Sequence, residues 1–404
     1  MLIANPNATR ETYPAALQSI MSMRMANESR AWLADWSQIN SCGTPLYALP
    51  DMAAELGVGD ILVKDESERS VLGSFKALGA PIALVRLILR QFPNKEFEAA
   101  GLLAGKYQAS LADFTVISAT DGNHGRALAA AAQSVGCRCV IVLHANVSVE
   151  REEAISAYGA EIVRISGNYD ESVEEAARLA TKNDWLVVSD TSYDGYEEIP
   201  RDVMQGYGTI SAEIIEALTQ RVTHVFLQGG VGGMAAGIAS YLWELYGVER
   251  PIFIVVEPVQ ADCLYQSAIA GQAARATGSV DSVMAGLACG ETSPLAWRFL
   301  QPCIDFFMTI EDDEAVSAMR RIAAGSARDI PVVSGESGVA GLAGLISLLG
   351  NAQLAAKVGL NSDSRVLVIN TEGATAPGVY QELLGESTHS VLTRQEVWKQ
   401  VESR

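Results

Sequence analysis

The sequence predicts an α/β protein of two lobes, each with a mostly parallel twisted sheet flanked by helices. Three observations predict it. Short runs rich in Val and Ile are continuous rather than alternating, the pattern of strands covered on both faces. Ala- and Leu-rich stretches of helical length alternate with these runs. Clusters of glycine and hydroxyl residues follow several runs directly, where open α/β sheets hold their ligands.

The predicted strands are 61–64, 115–118, 140–143, 162–165, 186–189, 224–227, 252–256 and 365–369. Between them, 125–135, 171–181 and 234–245 have helical length and composition. The acidic run 311–314 precedes a helix at 315–324, where negative charge favours a helix start. The tail after Gly385 reads as a solvated helix. A chain of 404 residues is long enough for two or three lobes without staples. It shows no short-period repeat and no low-complexity linker.

Charge narrows the partners. Lys and Arg number 29 against 48 Asp and Glu, a net charge of −19. That field repels phosphate backbones and anionic membranes. A small molecule is the expected partner, with no nucleic acid and no membrane. The six cysteines are scattered, as in a cytosolic protein. Cys137 and Cys139 lack a second ligand pair, so no metal is expected. A bridge between Cys263 and Cys289 stays open. Residues 1–12 carry Asn, Pro and Glu where a signal peptide needs an apolar run, so a cytoplasmic location is expected.

Four segments that follow strands hold the candidate chemistry: 118–125, 189–195, 228–233 and 370–373. A fifth, 73–76, trails the strand at 61–64. In the glycine loop, Gly229, Gly230, Val231, Gly232, Gly233 and Met234 open a helix. Glycines there let backbone amides approach a phosphate, aided by the helix dipole. A rival reading exists. Gly230, Gly232 and Ala235 also match a dinucleotide fingerprint, with Glu257 ending the next strand.

Lys76 stands beside Phe75 and ahead of an apolar helix. Apolar neighbours are expected to desolvate its amine and lower its pKa, as Schiff-base chemistry requires. In the loop after the strand at 115–118, Ser118, Thr120, Asp121, Asn123 and His124 supply many polar groups. They suit a carboxylate or a cofactor hydroxyl, or simply a helix cap with an Asx turn.

Ser74-Phe75-Lys76, then Gly122-Asn123-His124-Gly125, then the tetraglycine loop resemble the fold type II pyridoxal-phosphate enzymes in order and spacing. The resemblance implies that Lys76 binds pyridoxal 5'-phosphate as a Schiff base, flanked by Phe75. It implies that Asn123 contacts the phenolic oxygen and that the loop from Gly229 to Met234 cradles the phosphate. By family position Thr371 partners the pyridine nitrogen, with Glu336 a second neighbour.

Longer stretches resemble the diaminopropionate ammonia-lyases, from about residue 40 to about 380. They are Lys64 to Ser67, Thr120 to Arg126, Asp190 to Tyr196, Ile199-Pro200, Met204 to Tyr207, Met284 to Glu291 and Ser334 to Gly338. Leu72-Gly73-Ser74 departs toward the general dehydratase form. The resemblance implies α,β-elimination of 2,3-diaminopropionate, D and/or L, to pyruvate and two ammonia. It also implies that Asp121 serves the D form and Asp190 the L form, with Lys76 an alternative base. A cationic β-amino group gives such acids a partner that a serine hydroxyl does not. Ser118, Thr120, Asp121, His124, Asp190 and Tyr196 are the expected substrate contacts.

The alternatives are a serine or threonine dehydratase of the same fold, a catalytically silent metabolite-binding regulator, and an NAD oxidoreductase. The expected division is a large cofactor-binding lobe, 1–85 and 200–404, and a small mobile lobe, 86–199. Relatives of this fold imply a homodimer.

Overall fold

The computed structural model describes residues 1–402 except Asp121, Asn146 and Asn168. Its strands are β1 (Leu2–Ala4), β2 (Leu46–Ala48), β3 (Asp60–Asp65), β4 (Thr115–Ala119), β5 (Arg138–Leu143), β6 (Glu161–Arg164), β7 (Leu186–Val187), β8 (His224–Gln228), β9 (Ile252–Pro258), β10 (Phe306–Ile310) and β11 (Arg365–Asn370). All eight predicted strands are present, with ends displaced by one or two residues. Continuous burial explains their legibility. In β8 every residue is buried, and β5 and β11 each keep only their first residue partly in solvent.

Seven strands form one sheet in the order β1-β10-β9-β8-β11-β3-β2. Its five central strands are parallel, and β1 and β2 close the edges antiparallel. A second sheet, β6-β5-β4-β7, is wholly parallel. The sequence reading passed over β1, β2 and β10. The first two have only three residues each, too few to show a pattern. In β10, two Phe and a Met replace the Val and Ile that mark the others.

Apolar faces settle the layers. One continuous core joins the facing sides of the two sheets through the helices Ala80–Gln91, Asn123–Val135, Glu198–Ala217 and Gly233–Tyr246. A second core covers the outer face of the larger sheet with Asp312–Ala324 and Ala340–Leu349. A third, smaller one packs Tyr169–Asn183 on the four-stranded sheet. The acidic start at 311–314 is a capping box between Glu311 and Glu314. Among the described residues no helix is long and apolar enough to cross a membrane.

The register decides what meets at the strand ends. Asn370 of β11 lies opposite Asp65 of β3, and Gln228 of β8 lies opposite Val256 of β9. The segments after β3, β8 and β11 therefore leave the sheet at one edge. A buried quartet secures the first of them. Lys64 Nζ lies 2.6 Å from Glu213, and Arg69 bonds both Glu213 at 2.6 Å and Glu66 at 2.8 Å. Two cations and two anions cancel, which is what makes such burial tolerable.

Candidate active site

Lys76 sits in a tight helical turn, Phe75–Leu78, that the fold stitches to the end of β11. Phe75 N donates to Thr371 O at 3.0 Å, and Gly373 N to Gly73 O at 2.9 Å. Across the site, Lys76 Nζ donates to Asp190 Oδ2. Asp190 follows β7, so the two lobes meet through this pair. The side chains keep only 20% and 19% exposure. Burial by itself would push the lysine down, but the carboxylate outweighs it and holds Lys76 well above the usual lysine range. Burial would likewise raise Asp190, yet Lys76 and then His124 hold it well below the usual carboxylate range. The expectation that apolar neighbours leave Lys76 with a lowered pKa is therefore corrected. A carboxylate more than one hundred residues away reverses the sign.

The glycine loop lies against the same pair. A Cβ built on Gly233 would stand 3.8 Å from Asp190 O and 4.0 Å from the Tyr207 ring. Gly230 and Gly232 have φ of +65° and +98°, which L side chains rarely adopt. At Gly229 a Cβ would meet Glu257 Cγ at 2.4 Å. Val231 O accepts from Ser293 N at 3.0 Å, and Met234 is buried just inside the helix start. The loop thus forms a concave, backbone-lined helix N-terminus that a larger residue would fill, and a phosphate fits it. Glu257 packs against the loop, but its carboxylate is already engaged and not free for a ribose. Its oxygens accept Leu264 N at 3.0 Å and Tyr265 N at 2.7 Å, and burial raises it to about 8.

At the opposite end, Asn123 donates its side-chain amide to Glu372. Glu372 also accepts Ser337 N at 3.3 Å and Thr375 Oγ1 at 3.4 Å. Glu336 stands beside it. Burial first, and the Glu372 charge second, push Glu336 up to about 7, while Arg151, 3.4 Å away, works against them. Thr371 is buried between these residues and the lysine turn. A cleft of about 380 Å³, lined in part by Leu72, Gly73, Arg126, Gly373 and Thr375, lies on the side of Glu372.

The remaining sequence candidates have other partners. Thr120 Oγ1 accepts Gly122 N at 3.2 Å and Gly125 N at 3.4 Å, the helix-entry cap that was the blander reading. Ser118 is fully buried and bonds Ala119 O at 3.3 Å. Tyr196 Oη bonds Val187 O at 3.0 Å and Ser189 N at 2.9 Å, so it braces the turn before Asp190 instead of offering a free hydroxyl to substrate. His124 Nε2 meets Val188 O at 2.9 Å, and its Nδ1 lies 3.9 Å from Asp190. Asp121 lies outside the described residues. Glu372, Arg151 and Tyr207 were given no role by sequence reasoning. Glu372 does fall in the segment 370–373 singled out there, and Tyr207 ends the stretch Met204 to Tyr207. Arg151 falls in none of the segments singled out there.

Residues 40–372 match the family model described as pyridoxal-phosphate dependent enzyme. The chain is 40% identical over 358 residues to a diaminopropionate ammonia-lyase of Escherichia coli K12, covering 86% of this chain and 88% of the relative. It is 38% identical to that of Salmonella typhimurium, covering 85% and 88%. A crystal structure of the Escherichia coli enzyme in complex with an aminoacrylate-PLP azomethine reaction intermediate matches with a TM-score of 0.86 at 36% identity, covering 97% of this chain and 98% of that one. This chain belongs to the pyridoxal-phosphate dependent enzyme family, and its cofactor is pyridoxal phosphate.

Proposed function

We propose, from that membership, that the chain is a carbon–nitrogen lyase converting 2,3-diaminopropionate and water to pyruvate and two ammonia. The carrying observation is the largely buried Lys76–Asp190 pair set against a four-glycine loop, in a chain that matches diaminopropionate ammonia-lyases over most of its length.

When bound, pyridoxal phosphate supplies the aldehyde that Lys76 holds and a ring that draws electrons from the substrate's α-carbon. Gly229, Gly230, Val231, Gly232, Gly233 and Met234 would hold its phosphate, and Phe75 would flank its ring. Asn123, held by Glu372, would orient the phenolic oxygen. Thr371 would meet the ring nitrogen, with Glu336 near. Asp190 Oδ2, kept ionised by its neighbours, takes the α-proton of the L substrate, with Lys76 Nζ as an alternative base. Asp121 takes that of the D substrate. A carboxylate beside the substrate also pairs with its second ammonium group, which serine lacks.

The small lobe, 86–199, carries Asn123, His124, Arg151 and Asp190 and closes over the large lobe, 1–85 and 200–404. The protein acts as a cytoplasmic homodimer on a small amino acid.

The test is pyruvate release by the purified, cofactor-loaded protein from D- and L-diaminopropionate. A panel of serine and threonine runs beside it, because Gly73-Ser74-Phe75-Lys76 favours dehydration as the second reading. No pyruvate from either diaminopropionate isomer overturns the proposal. Faster release from serine or threonine selects the alternative.

A further inference from the structure

Tyr207 belongs to the helix Glu198–Ala217, and the reading above gives it no role. It is 2% exposed, with its ring 4.8 Å from that of Phe75. Two glycines make room for it. A Cβ on Gly79 would stand 2.6 Å from Tyr207 Cε1, and one on Gly237 would stand 3.1 Å from Tyr207 Cβ. Packing therefore fixes where the hydroxyl points. That hydroxyl is buried and makes no hydrogen bond of ordinary geometry among the described residues. A buried, unmet O–H is costly, so its retention calls for an explanation. The groups that act on it are Asp190, by charge, and Lys76, by charge and as a donor toward its oxygen, so it is the hydroxyl hydrogen that lacks an acceptor.

Asp190 relies on Lys76 as its main partner. The amine that holds the cofactor aldehyde is the same one. Once Lys76 is committed there, a largely buried carboxylate loses its strongest donor, which is strongly unfavourable unless another donor takes over. The groups around the pair are His124 from the helix Asn123–Val135, Tyr196 from the turn after β7, and Cys289, which acts on Lys76. The Tyr196 hydroxyl is engaged by backbone.

We propose that Tyr207 is a positioning residue, donating its hydroxyl hydrogen to Asp190 while Lys76 is engaged by the cofactor in the resting holoenzyme, so that the carboxylate is already aimed when substrate displaces Lys76 and Asp190 takes the α-proton of L-diaminopropionate. This inference rests on the assignment of Asp190 as that base.

The experiment compares wild type, Tyr207→Phe and Asp190→Asn as holoenzymes. It measures kcat/KM against pH for both enantiomers and the pH titration of the bound cofactor's visible absorbance. Tyr207→Phe is expected to move the acid limb for the L isomer upward by about one to two pH units, the equivalent of one hydrogen bond to a charged group. The D limb is expected to stay in place, and the cofactor absorbance to titrate at a shifted pH. An unmoved L limb with unchanged absorbance titration overturns the proposal, as does an equal loss on both isomers without a shift. Should Tyr207→Phe fail to retain cofactor, fluorotyrosine at 207 keeps the shape and strengthens the donor. It must then move the same limb downward, and no movement overturns the proposal. Full L activity in Asp190→Asn removes the underlying base assignment instead, whatever Tyr207→Phe does.

Discussion

At one end of the site Lys76 and Asp190 bury opposite charges together; at the other, Glu336 and Glu372 bury like charges within each other's field. Burial is common to both ends, and its effect is opposite. Beside a counter-charge, it is overridden, and both Lys76 and Asp190 are held in their ionised forms across ordinary pH. Beside a like charge, it is reinforced, and Glu336 titrates near neutrality. Residues of the β4–β7 sheet region reach both ends: Asp190 at the first, Asn123 and Arg151 at the second. The first end is fixed in charge by its ion pair, whereas the charge at the other end changes with pH.

The largest break in this comparison is Lys76→Ala. It should abolish the covalent cofactor absorbance and all turnover, measured by visible spectrum and pyruvate release. Retention of either would remove Lys76 from its place. Next, Asp190→Asn should cost about 10²- to 10⁴-fold on L-diaminopropionate, the range of a lost general base, and leave the D isomer near wild type. Asp121→Asn should show the mirror image. Equal losses on both isomers would deny the two-acid division.

Glu336→Gln sharpens the other end. With a folded pKa near 7 against an ordinary 4.5, the folded protein binds a proton that the unfolded chain has released. Stability from this group is therefore full below about 4.5, falls as pH rises toward 7, and stays low above it. A neutral Gln should raise the melting temperature at pH 8 by about 2–4 °C more than at pH 5. Equal shifts at both pH values would mean that Glu336 is charged throughout. The smallest effect is expected for Arg151→Ala. Its contact is long and partly solvated, so kcat/KM should change by no more than about threefold and stability by less than about 1 kcal/mol. A larger loss would mean that Arg151 touches the substrate.

Much of this site was legible because its chemistry is local. Glycine at 230 and 232 answers to backbone angle, and the Val- and Ile-rich runs answer to burial on both faces. Lys76 was singled out from the apolar residues around it, but that same neighbourhood gave the wrong direction for its pKa. Thr120, from a polar loop after a strand, and Tyr196, from a stretch resembling the ammonia-lyases, were expected to contact substrate. In the fold they cap a helix and brace a turn. Glu372 and Tyr207 were quoted as parts of longer segments without a role, since neither residue type is distinctive by itself.

The sequence by itself determined the parallel sheets, the four-glycine loop, the lysine turn and the family, all properties of neighbouring residues along the chain. Only the tertiary structure decided the charge states and the partners: Lys76 with Asp190, Asn123 with Glu372, and Tyr207 with Phe75. Electrostatic interaction falls with distance through space and strengthens with the removal of water. Both are set by how segments one hundred or more residues apart are packed together, and no local pattern records them.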